Sequence, residues 1–335
     1  MSSMKRMEGS GDKHAFPKTT TSIDRHFISG VNDIKRVVHD TLYHFHTLFL
    51  FTNDTMIDTV IPGTFFGVLT ALSGPSLNLL PQGTLAVLQS IPRIFLWLWL
   101  MALQFNVQNQ RSATSVEEDA INKPWRPLPA GRITTTQTNH LLLAAHLVTG
   151  CVSFYMDVLP MYIAWVILIT AYNDWGVSDY SGIVRNVFYG AGFTCLFSGA
   201  LSIALGSDTP VSRTAWQWTL LFTFGIVGMT CQVQEFRDEA GDRARGRHTI
   251  VIALGRQYAL WTVAATVAFW SVYAPLIFLC ARWKVVVVSV AVGALLVGTA
   301  MAGLKDQKFD RQMYRLWSVW VCSLVGLPLL ATTFP

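Results

Sequence analysis

Charge is what this sequence has least of. Only 13% of its 335 residues are Asp, Glu, Lys or Arg, about half the share in an average soluble domain. With 52% hydrophobic residues and a mean hydropathy of +0.39, the chain is too apolar for an ordinary soluble fold and reads as an all-α, polytopic membrane protein. Paired cysteines are missing too. Cys151, Cys195, Cys231, Cys280 and Cys322 all fall inside apolar segments without the spacings that bind zinc or cycle as a dithiol, so free core thiols are expected. The histidines lack metalloprotease spacing, since His44 and His46 would project from different sides of a helix. No patch interleaves basic and aromatic residues, which argues against a nucleic-acid partner. The polar, basic amino-terminal tail holds no early apolar core of the kind a cleaved signal peptide needs, so targeting falls to the first membrane span.

What is present is a series of apolar segments near the length a bilayer requires. They fall in about nine places: 48–74, 85–106, 137–156, 158–174, 186–206, 214–234, 257–281, 284–303 and 316–333. Lysine and arginine favour the cytosolic side in short loops, and alternate loops obey that rule. One side collects the amino-terminal tail, the basic residues after the second span (Arg111, Lys123, Arg126, Arg132), Arg185 after the fourth, the arginines after the sixth and a basic group from Lys305 to Arg315 after the eighth. The other side holds only Arg213, Arg282 and Lys284. Nine spans with a cytosolic amino terminus fit this asymmetry. Before them, Ile28, Val31, Ile34, Val38, Leu42 and Phe45 recur at helical spacing, with Lys35, Arg36 and His39 on another face. That pattern predicts an amphipathic helix at the membrane surface, or alternatively a cytosolic regulatory helix. The chain then divides into a tail, 1–46, and a transmembrane domain, 47–335.

Two acidic stretches stand out against this background. In the first, after span two, Asn109 leads through Arg111 to Glu117, Glu118 and Asp119, followed by Asn122-Lys123-Pro124-Trp125-Arg126-Pro127-Leu128-Pro129-Ala130-Gly131. In the second, after span six, Gln234-Glu235-Phe236-Arg237-Asp238-Glu239-Ala240-Gly241-Asp242 is the densest run of acid in the chain. On a helix turning about 100° per residue, Glu235, Asp238, Glu239 and Asp242 share an arc of roughly 100°. Like charges so close repel unless a cation lies between them. A divalent metal site follows, or a solvated charged loop in which Arg237, Arg243, Arg245 and Arg247 neutralise the acids directly. Mg2+ prefers a few carboxylates with phosphate oxygens and water, so the ligand implied is a phosphate or diphosphate. Nearby arginines and Lys123 suit its remaining oxygens. Within spans, Asn53, Asp54, Asp58, Asn173 and Asp174 either line a polar cavity or cap helices, and Pro62-Gly63 would let the first span bend around such a cavity.

The sequence resembles the UbiA superfamily of intramembrane prenyltransferases. Arg126-Pro127-Leu128-Pro129-Ala130-Gly131 matches the element that follows the family's first acidic motif, and Glu235, Asp238 and Asp242, with Gly246 and Thr249 behind them, match its second. The resemblance implies about nine membrane helices around a central apolar cavity capped by acidic loops. It implies Mg2+ held by Asn109, Glu117, Asp119, Glu235, Asp238 and Asp242, with Glu118 the weakest candidate, and a prenyl diphosphate held by Lys123, Arg126, Arg247 and Arg185. Asn109, Asp119, Glu235, Asp238 and Asp242 would form its catalytic set. The first motif departs from the family's four-residue spacing of aspartates: Asn109 is followed by Ala113 and Glu117, or in a shifted frame by Ser115 and Asp119. On an unbroken helix Asn109, Glu117 and Asp119 share a side while Glu118 points away. Tyr172-Asn173-Asp174 also lacks the Lys-Arg pair that follows this tyrosine in many members, and Arg185 is the next basic residue.

The Asn-Gln start, the Glu-Glu-Asp run and Asn-Lys-Pro-Trp-Arg-Pro are most similar to the fungal branch in which this fold works as a membrane-bound class I terpene cyclase. That implies cyclisation of a prenyl diphosphate, farnesyl diphosphate first among them, to a sesquiterpene in the endoplasmic reticulum membrane. A UbiA-type prenyltransferase using an aromatic or other acceptor shares every metal-site residue, and a transporter is the remoter alternative. Phe65, Phe66, Trp97, Trp99, Trp165 and Tyr172 are either lining residues that guide a cation or plain packing.

Overall fold

The computed structural model describes residues 22–333, with side chains from residue 33 onward. The tail before residue 22, and the side chains of Ile28 and Val31 on the expected amphipathic face, lie outside the described residues. The chain divides into two units, 1–46 and 47–335. In the first, Ile34, Val38, Leu42 and Phe45 are all exposed, so the apolar stripe read from the sequence lies open. Helix Ser22–Thr55 begins in this unit and is unbroken.

Among the described residues every regular element is helical. Six helical segments are long and apolar enough to cross a membrane: Asp33–Leu72, Thr84–Gln110, Gly182–Leu205, Arg256–Phe278, Trp283–Gly303 and Gln307–Thr333. They fall on the first, second, fifth, seventh, eighth and ninth expected spans. The other three expected positions are helical as well, at Thr135–Tyr155, at the 15-residue Leu159–Asn173 and at Arg213–Leu220 continuing through a π turn, Leu221–Val227, but do not reach that standard of length and hydropathy.

Local chemistry sets the helix ends. Thr134 and Gln137 form a reciprocal capping box, and Ser181 and Ser212 each accept from a backbone N–H of the first turn. Small residues let helices approach in the interior. An added Cβ on Gly67 would come within 2.7 Å of the Ala200 carbonyl oxygen, which seats Ile61–Leu72 directly on Gly182–Leu205. The rings of Trp97, Trp218 and Trp320 fill the space between helices and are fully buried. Pro62 lies within the continuous helical run Asp33–Leu72, directly after a π turn at Met56–Val60, so the regular hydrogen-bond ladder of the first span is interrupted next to Pro62-Gly63.

Candidate active site

The first acidic helix is a separate element. The preceding helix ends at Gln110, and Ser112 caps a new one, Ala113–Asn122, by accepting from the Ser115 N–H at 3.1 Å. This break overturns the unbroken-helix projection. Glu118 and Asp119 are buried, whereas Glu117, a ligand in the sequence reading, lies on the exposed face. Asn109 stays at the end of the earlier helix, where its amide donates to Asn173 Oδ1 at 2.8 Å. Gln108 and Arg111 both hold Asp174, each at 2.7 Å. Asn173 and Asp174 therefore brace the end of that helix.

The second acidic helix, Glu235–Arg245, follows a 3-10 turn, Cys231–Gln234, at the end of the sixth expected span. Gly246 ends it in a left-handed conformation, φ 76°, and the Arg247 N–H returns to the Asp242 carbonyl at 3.0 Å. That reversal turns Arg247 back toward the acids. The two acidic helices pack together through Asn122, whose Nδ2 donates to the Asp238 carbonyl at 2.9 Å while its Oδ1 accepts from the Gly241 N–H at 3.0 Å. A Cβ on Gly241 would collide with the Asn122 amide.

Around the polar pocket between these helices the acids face cations. Lys123 Nζ lies 2.7 Å from Asp238 Oδ2, and Arg126 Nη1 donates to both Asp119 oxygens at 2.7 and 2.9 Å. Arg247 reaches Glu118 at 2.7 Å and Asp242 at 3.0 Å, and Arg185 lies 3.7 Å from Glu235 and 3.8 Å from Asp242. Arg237 sits 3.5 Å from Asp238 and 3.9 Å from Asp54. Asn109 and Asp58 also line the pocket. Asp179 was not singled out in the sequence. It receives both Arg245 and Arg247 at 3.0 Å, and as a single acid in the short helix Val177–Tyr180 it carries no pattern that could have revealed it. Glu239 pairs with Arg243 and lies outside the pocket.

These pairings divide the carboxyls. Burial pushes the Glu235 carboxyl up to about 7, only partly offset by Arg185. Asp242 is raised by burial against the pull of Arg185 and Arg247. Burial also acts on Asp238, but Lys123 and Arg237 outweigh it and hold this carboxyl below its usual range. Asp179 is likewise held low, by Arg245 and Arg247 against burial. Asp242 Oδ2 and Arg185 Nη1 are buried without a hydrogen-bond partner, a costly state that a polar ligand would relieve.

An apolar pocket adjoins the polar one, and the two share Thr55, Asp58, Phe105, Tyr172 and Tyr189. Trp165 and Tyr172 line it, as the sequence allowed, together with Phe105, Phe188, Tyr189 and Phe193, which it did not single out. Phe66 and Trp97 are fully buried packing, Phe65 is exposed, and Trp99 donates to Thr52 at 3.2 Å. These four do not line the pocket.

With six segments suited to cross a bilayer and, among the described residues, only helical regular elements, the chain is an integral membrane protein, and a charged pocket adjoins an aromatic one inside it. Residues 60–324 match the UbiA prenyltransferase family, and the chain belongs to it. Fumagillin beta-trans-bergamotene synthase of Aspergillus fumigatus is 29% identical over 287 residues, covering 84% of this chain and 91% of that protein. Somaliensene A/B synthase of Streptomyces somaliensis is 27% identical over 296 residues, covering 85% and 93%. A solved structure concerned with digeranylgeranylglyceryl phosphate synthase in membranes shares the fold, with a TM-score of 0.57 at 15% identity over 86% of this chain and 98% of that one.

Proposed function

We propose that the chain is a membrane-bound class I terpene cyclase. It ionises a prenyl diphosphate, with farnesyl diphosphate the first to test, cyclises the cation to a sesquiterpene and releases diphosphate. The observation that carries this reading is the junction of the two pockets, which suits a molecule with a charged head and an apolar tail. The Asn-Gln start, the Glu-Glu-Asp run and Asn-Lys-Pro-Trp-Arg-Pro, most similar to the cyclase branch, favour a cyclase over a transferase. Nine spans around a central cavity, with a cytosolic amino terminus, complete the proposal, supported by the nine helical positions and the placement of lysine and arginine; an endoplasmic reticulum location follows from the fungal resemblance alone.

Mg2+ fits the residues of the polar pocket. Its six carboxylates (Asp54, Asp58, Glu118, Glu235, Asp238, Asp242) and five cations (Lys123, Arg126, Arg185, Arg237, Arg247) are nearly balanced. A diphosphate entering alone would therefore add uncompensated negative charge to a buried site, which accompanying metal ions offset. Among the described residues no three acidic, histidine or cysteine side chains converge on one point, but Mg2+ commonly takes only one or two carboxylates with phosphate and water. Asp242, with its unpartnered oxygen, Asp238 and Glu235 would hold it on one helix, and Glu118 on the other, with Asn109 nearby, while Asp119, held by Arg126 through both oxygens, would join only if Arg126 turned to the phosphate.

When bound, Mg2+ supplies charge stabilisation to the departing diphosphate. Lys123, Arg126, Arg185 and Arg247 exchange carboxylate partners for phosphate oxygens and present fixed donors where negative charge grows. The aromatic walls exclude water from the allylic cation, and each ring face stabilises it by about 0.5–2 kcal/mol. The void among these rings is about 50 Å³, against roughly 300–1,000 Å³ for typical ligand sites, so the rings must part as the chain enters.

A prenyltransferase would use the same pockets and hand the cation to an acceptor, as the family name allows. Purified protein given farnesyl diphosphate and Mg2+ without acceptor should yield a cyclic hydrocarbon by gas chromatography. Turnover only after an aromatic acceptor is added would contradict the cyclase.

A further inference from the structure

Asp58 stands apart from the other acids of the site. It lies in the π turn Met56–Val60 of the first span, a local widening frequent at functional positions. Among the described residues it is the one carboxylate that lines the apolar pocket as well as the polar one. Two hydroxyls fix it: Thr59 Oγ1 donates to Oδ1 at 2.7 Å and the Tyr314 hydroxyl donates to Oδ2 at 2.7 Å. Tyr314 is itself held by Arg237, whose guanidinium lies 3.8 Å from the ring centroid. Glu235, Asp238 and Asp242 line the polar pocket but not the apolar one. The other side-chain oxygens lining the apolar pocket are the hydroxyls of Thr55, Thr59, Tyr172 and Tyr189, which are far weaker bases than a carboxylate.

We infer that Asp58 accepts the proton that ends cyclisation. This rests on the cyclase reading above and assigns a second task within it. A C–H bond beside the cationic carbon gives its electron pair to a new C=C bond, and the proton passes to a carboxylate oxygen of Asp58. Neutral hydrocarbon and a carboxylic acid result. The proton then leaves with the diphosphate through the polar pocket that Asp58 also lines. Before that step, the carboxylate stabilises positive charge in the chain from the junction of the two pockets, while Thr59 and Tyr314 keep it aimed.

Wild-type turnover without acceptor tests the cyclase reading itself; product analysis of variants tests Asp58. A base acting after ionisation alters the partition of products more than the rate of ionisation. Asp58→Asn, shown to be folded by its detergent melting midpoint, is expected to lower diphosphate release by no more than about tenfold and to shift the hydrocarbon mixture toward uncyclised or alternatively deprotonated products. An unchanged mixture would assign the proton to the diphosphate and overturn the inference, as would complete loss of diphosphate release in a folded variant. Should Asp58→Asn not fold, Tyr314→Phe and Thr59→Val each remove one hydrogen bond while keeping the carboxylate. A mixture altered by either supports the assignment, and one unchanged in both overturns it.

Discussion

Glu118 holds two arginines at once, Arg247 at 2.7 Å and Arg245 at 3.1 Å, in a buried setting. Removing one partner of a buried ion pair costs about 3–5 kcal/mol, because the other charge is left without compensation. Glu118→Gln keeps the shape and removes the charge. It is expected to lower the melting midpoint and to cut diphosphate release by about tenfold or more, whereas Glu117→Gln, on the exposed face, should stay within about 0.5 kcal/mol of wild type. The reverse order of effects would contradict the placement of these neighbours. Composition and spacing made the acids visible but could not assign their faces, since one residue of helix phase separates Glu117 from Glu118. The capping by Ser112 that resets the phase is a local event, and Ser112 sits among several residues able to cap.

The two acidic helices meet at a distance set by Gly241. Gly241→Ala would drive a methyl into the Asn122 amide and break its hydrogen bonds to the Asp238 carbonyl and the Gly241 N–H. Overpacking of this kind costs about 1–3 kcal/mol, more than the helix propensity an alanine gains at about 1 kcal/mol. A lower melting midpoint is expected for Gly241→Ala. Adding Asn122→Ala should cost less than the sum of the single changes, since the clash is then gone; additive losses would contradict direct packing. Both acidic runs were legible as elements because each ends an apolar span. Their contact was not, because nothing in either run marks Asn122 and Gly241 as partners 119 residues apart.

Across the whole molecule, the charged residues that the sequence scatters over six expected spans and their loops converge on one pocket. Arg185 lies in the first turn of one helix, Arg247 follows another, and Asp54 and Asp58 belong to the first span; Asp179, in the short helix Val177–Tyr180, supports Arg247 from outside the pocket. Membrane character was plain from composition, and six of the nine expected spans reach the length and hydropathy of a bilayer crossing. Thr135–Tyr155 and Leu159–Asn173 fall short, the first through polar residues such as Thr138 and His146 and the second through length. The cations that first stood as substitutes for a metal occupy the acids directly, which neutralises the site until a diphosphate arrives with its own cations. The most direct measurement is diphosphate release from farnesyl diphosphate across an Mg2+ series, by wild type and by the Asp238→Ala, Asp242→Ala double variant. Mg2+-dependent release by wild type and a fall of about 100-fold or more in the folded double variant are expected. Equal release by the two proteins would contradict the site.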